Sequence, residues 1–305
     1  MTNHKRYYYQ VFGWNIASEI ELQELWHGDE TKAADIVIKE NSLPHNLEGA
    51  VKKGIGFQIK PGHYFLHIED VAKYHVIEGK EIHIDQYSGA NLNEIKVYLY
   101  ASVFGGLCHL RNVLPMHAGA IMHQNNSYLF TGNTGAGKST TVAKLQQKGY
   151  TVLTDDLAPI RFNSSGLATI SQGISRIKLW EDALERINIP YSEEDQIRTE
   201  IKKYHTPIEK CLGGSNFPVR VIFVLEPYSK AELTFRELMG KEKAITIAKH
   251  IYRTQLIGAL GLKEAHFEKV SHLLQQVRVI KISQPRKVNK LDEFIERIEE
   301  EYIKS

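Results

Sequence analysis

From Tyr7 to about Tyr87 the chain runs in short apolar-rich segments, YYYQVFGWNI, ADIVIKE, GIGFQIK, YFLHIED and YHVIEGKEIHID, with turns at Pro61-Gly62 and Glu78-Gly79-Lys80. Runs of β-branched and aromatic residues punctuated by glycine predict a small antiparallel β unit. From Asn91 to Arg111 the period lengthens. Ile95, Leu99, Val103, Leu107 and Leu110 recur near helical spacing, so this stretch predicts a helix capped by Asn91 or Asn93 and ended before Pro115. The expected division is residues 1–90, a β-rich N-terminal unit, and residues 91–305, a second domain beginning just before this helix.

After Met116 strand and helix signals alternate, the texture of an α/β fold. AGAIMH, Asn125-Asn126 and SYLFTG predict a hairpin whose second strand enters a glycine-rich loop. A helix is expected from Lys138 to Lys148, stopped by Gly149, followed by a short strand ending in Asp155-Asp156. VRVIFVLEP, from Val219 to Pro227, has the continuous apolar character of a buried strand. Further helices are predicted from about Leu238 to Ala259, His266 to Gln275 and Leu291 to Tyr302, the last as an exposed amphipathic helix. Leu212-Gly213-Gly214-Ser215-Asn216 is expected to be a flexible loop.

Composition adds limits. The 305 residues suffice for about two domains, and 42% hydrophobic with 24% charged residues is an ordinary globular balance. A formal net charge of +2 gives no bulk attraction for polyanions, so no nucleic-acid partner is expected. Two cysteines, Cys108 and Cys211, cannot build a disulfide framework. No stretch has signal-peptide or membrane-span character, so a cytoplasmic protein without a membrane partner is expected.

The strongest chemical signal is GNTGAGKST: Gly132, Asn133, Thr134, Gly135, Ala136, Gly137, Lys138, Ser139 and Thr140. It fits the phosphate-loop pattern between a strand and a helix. Glycines let backbone N–H groups converge on an anion at a helix N-terminus, Lys138 reaches the outer phosphates, and Ser139 can ligate Mg²⁺. Asp155 and Asp156, at the end of the next strand, supply the two acidic roles of phosphoryl transfer, one on the metal and one on the attacking hydroxyl. His117, opening the strand before the hairpin, is placed to meet the phosphate or the acidic pair. Among weaker features, Lys202-Lys203-Tyr204-His205 suits a solvated charged face or a closing, peptide-binding segment. The aromatics Tyr7, Tyr8, Tyr9, Phe12 and Trp14 suit a β core or a peptide dock. These residues alone leave open a kinase of a peptide or of a small metabolite, a nucleotide-dependent switch, and a non-catalytic binding module. A guanine-specific Asn/Thr-Lys-x-Asp element is absent from the sequence.

The run MHAGAIMHQNNSYLFTGNTGAGKSTTVAKLQQKGYTVLTDD resembles the catalytic core of the HPr serine kinase/phosphorylase family, and the opening YYYQVFGWNIASEIELQEL is similar to that of the stand-alone kinases of lasso-peptide biosynthesis. The likeness extends to ISRIKLWEDAL, VIFVLEP and IYRTQL. It implies a P-loop kinase core of the HPr kinase C-terminal type, using ATP and Mg²⁺ to phosphorylate a peptide serine, with a lasso-peptide precursor as partner. By the same resemblance Asp155 is the general base, Asp156 holds the metal with Ser139, and His117 matches an active-site histidine. Lys178 and Arg253 fall where basic side chains face transferring phosphates. The downstream glycine-rich signature of true HPr kinases is not present in ATISQGISRIKLW, so neither HPr as substrate nor the reverse phosphorylase reaction is carried over.

Overall fold

A computed structural model describes residues 5–198, 201–208, 210–213, 216–228, 232–285 and 290–304. Two nine-stranded sheets and a three-stranded sheet organise them. The first sheet takes up the segments from Tyr7 to Gln86, and its turns fall at the expected glycines, with Gly62 and Gly79 both at positive φ. It is larger than a small antiparallel unit, and mixed. Trp14–Ser18 pairs parallel with Ile36–Glu40, which pairs parallel with Glu81–Gln86. The segment between Ser18 and Ile36 returns the chain to the same end of the sheet instead of turning it back as a hairpin, and local alternation carries no trace of that return.

The helix after Asn91 is built from Leu92–Tyr98, a π-helical turn Leu99–Val103, and Phe104–Leu110. The Asn91 side chain accepts from the Asn93 N–H at 2.8 Å, satisfying one of the orphan donors of the first turn. Ile95, Leu99, Val103 and Leu107 pack in one core with Ile16, Ile36, Tyr74, Val76 and Ile82, so the apolar face of this helix covers the first sheet. Tyr9, Phe12 and Trp14 lie in that core too.

The second large sheet holds the glycine-rich loop that follows Asn126–Gly132. Around that loop its strands run in the order 216–228, 126–132, 118–123, 151–154, the last at the sheet's edge. Asn126–Gly132 is parallel to Asn216–Tyr228 and antiparallel to Ala118–His123, which in turn is antiparallel to Thr151–Thr154. The hairpin turn is Gln124-Asn125, both at positive φ, one residue earlier than the Asn125-Asn126 expected from composition. The stretch predicted as one helix from Leu238 to Ala259 is two, Gly240–Lys249 and Gln255–Ala259, because Ile251 leaves the helix to bridge to Met116 and Arg253 takes a positive φ. The helix Leu291–Ile298 is not an exposed one: Phe294, Ile295 and Ile298 are buried in the core beneath the second sheet. Part of the expected glycine loop, Gly214-Ser215, lies outside the described residues.

Candidate active site

Three chain segments meet at one end of the second sheet because neighbouring strands there alternate in direction. His117 opens the strand Ala118–His123, the glycine-rich loop leaves the end of Asn126–Gly132, and Asp155-Asp156 follows the end of Thr151–Thr154. The Thr131 hydroxyl donates to the His117 carbonyl at 2.7 Å, tying the first segment to the second.

The loop conformation depends on glycine. Gly132 has φ +147°, and a Cβ there would stand 2.3 Å from the Leu225 carbonyl oxygen of the neighbouring strand. Gly137, in the left-handed region, caps the helix Lys138–Gln147. A left-handed residue with a side chain costs about 1–2 kcal/mol, and Gly137 avoids that. The Lys138 ammonium donates to the carbonyls of Gly132 at 2.9 Å and Asn133 at 3.2 Å. Burial lowers its pKa against the opposing pull of Asp155 and Asp156.

The adjacent aspartates occupy contrasting surroundings. Asp155 is buried, and its carboxylate accepts from the Ser139 hydroxyl at 2.9 and 3.0 Å and from the Lys178 backbone N–H at 3.0 Å. Burial, reinforced by the neighbouring Asp156 charge, raises its pKa. Asp156 sits at φ +75°, which turns its side chain the other way, toward Lys178 Nζ at 3.2 Å and His117 Nδ1 at 3.2 Å. Burial alone would raise its carboxyl as well, but the Lys178 ammonium and then His117 outweigh burial and hold it well below the usual carboxylate range. Asp156, expected beside Ser139, is thus replaced there by Asp155, and it is Asp156 that faces the cleft.

That cleft is a cavity of about 250 Å³ lined by the loop residues Thr134, Gly135, Gly137, Lys138, Ser139 and Thr140 together with His117, Asp156 and Lys178. Asn133 lines a neighbouring cavity with Glu226 and Lys281. Gly132 supplies a carbonyl to Lys138, and Ala136 is buried in the core beneath the loop. Arg253 is not brought to the cleft. Its guanidinium donates to the Ser102 hydroxyl in the helical segment near the first sheet and lies 5.5 Å from the Tyr252 ring centre.

Trp180, Asp182, Arg186 and Lys203 also line the cleft, and motif reading did not single out the first three or assign Lys203 to this site. Period-two alternation contained the signal. In the strand Arg176–Trp180 the alternate residues Arg176, Lys178 and Trp180 share one face, and the antiparallel partner strand Ile201–Pro207 sets His205 opposite Lys178 and Lys203 opposite Trp180.

No family model matches the chain, and no curated protein does. A solved structure of the Hpr(Ser) kinase/phosphatase from Coxiella burnetii is similar to 60% of this chain and 92% of its own length, at 12% identity and a TM-score of 0.29. A likeness at that TM-score assigns no residue a role.

The donor set fits a hard cation. Ser139 Oγ and the Asp155 oxygens converge at hydrogen-bond distance, and Mg²⁺ is commonly held by one or two such oxygens together with substrate phosphates. Held by Ser139 and Asp155, such a cation would supply positive charge against the negative charge of bound phosphates.

Proposed function

We propose that this chain is an ATP-dependent phosphotransferase that moves the γ-phosphoryl group of Mg-ATP onto a peptide serine hydroxyl, with the C-terminal region of a lasso-peptide precursor as acceptor. The peptide and its identity come from the sequence resemblance; the chemistry rests on geometry. The observation that carries it is the pair of aspartates beside the phosphate loop, one tied to Ser139 and the other turned into the cleft between His117 and Lys178.

Lys138 and the loop amides bind the phosphates. Ser139 and Asp155 would hold Mg²⁺. Asp156 orients the acceptor hydroxyl and takes its proton as the serine oxygen bonds to phosphorus and the bond to the β-phosphate oxygen breaks, leaving ADP. Lys178 offsets charge on the transferring group and keeps Asp156 ionised. The roles of the two aspartates are therefore exchanged relative to those the resemblance implies. A base must first reach the proton, and of the two aspartates it is Asp156 that lines the cleft, whereas the buried Asp155 does not.

Intact-mass spectrometry of serine-bearing peptides after incubation with the chain and Mg-ATP tests the reading. The expected result is a phosphoryl gain that needs both the serine and Lys138. ATP bound with Lys138 dependence but no transfer to any peptide would replace the kinase by a nucleotide switch. Lys138→Ala is expected to weaken ATP binding by roughly ten- to a hundredfold, the worth of a charge-assisted contact, in a calorimetric titration.

A further inference from the structure

The face of the three-stranded sheet that begins at the transfer site carries more positive charge than the protein balances. Along it lie Lys203, Lys178, His205 and Arg176, brought together by the pairing of Arg176–Trp180 with Ile201–Pro207. Among the described residues four carboxylates stand near this face or line the cleft beside it, and all are engaged, Asp182 with Arg186 at 3.0 Å. Asp155 accepts from Ser139 and the Lys178 N–H, and Asp156 pairs with Lys178 and His117. Glu24 receives Arg176 Nη1 at 3.0 Å, Lys96 at 3.2 Å and the Tyr100 hydroxyl at 2.9 Å.

What remains is unanswered. Arg176 is 5% exposed, yet its Nε and Nη2 have no hydrogen-bond partner, and neither does the buried Nδ1 of His205. Among the described residues no carboxylate pairs with Lys203, whose ammonium lies 5.4 Å from the Trp180 ring centre at the mouth of the cleft. Burial and then Arg176, Lys178 and Lys203 press the His205 pKa down to about 2, so the imidazole is a neutral donor or acceptor beside cations. Buried donors without partners are rare in native proteins, and a guanidinium short of acceptors is costly to keep.

We propose that Arg176, His205 and Lys203 form an anion subsite for the acceptor, selecting a carboxylate within about one residue of the hydroxyl that is phosphorylated. The span follows from strand geometry: Arg176 and Lys178 are two residues apart on one strand face, roughly 7 Å, and Lys178 holds Asp156 at the transfer point. This inference rests on the transferase reading. Its ligand chemistry, a carboxylate, is supplied either by the acceptor's chain end or by an acidic side chain next to the serine.

The test is calorimetric titration of the full chain, with ADP present, by N-acetylserine, N-acetylserinamide and the α-amide of N-acetyl-seryl-aspartic acid, whose side-chain carboxylate is free. At least one of the two acids is expected to bind about tenfold or more tighter than the amide. The better of the two identifies the source, chain end or acidic side chain. Arg176→Lys, which keeps a cation for Glu24 but loses the Nε and Nη2 donors, and Lys203→Gln are each expected to remove most of that preference. Should Arg176→Lys fail to fold, as read by circular dichroism, Lys203→Gln decides alone. Acids that bind no better than the amide, or a preference untouched by Lys203→Gln, would overturn the subsite. ADP binding insensitive to Lys138→Ala would instead overturn the transferase reading, which separates the two failures.

Discussion

Asp155 and Asp156 are adjacent in sequence and opposite in circumstance. One has its pKa raised, by burial and then its neighbour's charge; the other is held low by Lys178 and His117 in spite of burial. Pairs driven apart in this way mark divided chemical roles. Asp156→Asn is expected to keep ATP binding and to cut transfer by roughly 10²–10⁴-fold, the usual contribution of a positioned base. Asp155→Asn is expected to weaken the magnesium dependence of nucleotide binding along with transfer. Steady-state kinetics combined with titrations at several magnesium concentrations distinguish the two; full transfer by Asp156→Asn with none by Asp155→Asn would restore the original assignment. The sequence made the pair visible but not its division. That is set by the left-handed backbone at Asp156, and an aspartate tolerates such a conformation without announcing it. The loop from Gly132 to Thr140 stood out in the sequence because its glycines fall where the backbone takes positive φ, at Gly132, Gly135 and Gly137. Lys203 was not, because its place depends on which strand pairs with Arg176–Trp180.

At the scale of elements, legibility followed the range of the forces. Local signals placed the helix after Asn91, the hairpin before the loop and the helix Lys138–Gln147 within a residue or two. The Asn91 cap is local in this sense, and Asn91→Ala is expected to cost about 1 kcal/mol in urea unfolding while leaving nucleotide binding alone. A loss well below that would mean that core packing by Ile95 and Leu99, and not the cap, fixes the helix start. Signals failed where a distant strand overrode periodicity. Helical spacing continues through His250–Thr254, but the Ile251–Met116 bridge and the Tyr252 N–H bonded to the Pro115 carbonyl pull the chain out of the helix. The same break carries Arg253 toward Ser102 and away from the cleft.

Across the whole molecule, the first sheet supports the site as well as its own core. Phe12 N–H donates to the Gln172 carbonyl, Ser175 N–H to the Glu24 carbonyl, and the Trp26 indole to the Gly173 carbonyl, so the segment leading into Arg176–Trp180 hangs on residues 12–26. Nothing in the local pattern of either segment predicts that docking. The fold also buries histidines, with a consequence for pH. Burial, above all, lowers His109 to about 4, although its hydrogen bond to the Tyr252 carbonyl at 2.9 Å opposes the shift. His75 and His250 are likewise lowered to about 4, chiefly by burial. The unfolded chain takes up protons on these groups near pH 6.5 while the folded chain refuses them, so stability is present in full above that value and is lost as pH falls from about 6.5 toward 4. His109 alone is expected to contribute about 2 kcal/mol to the loss between pH 7 and pH 5. His109→Gln retains a donor for the Tyr252 carbonyl and removes the titration. Urea unfolding at the two pH values should therefore show a shallower decline in the variant, whereas equal slopes would mean that His109 takes up its proton in the folded chain as readily as in the unfolded one.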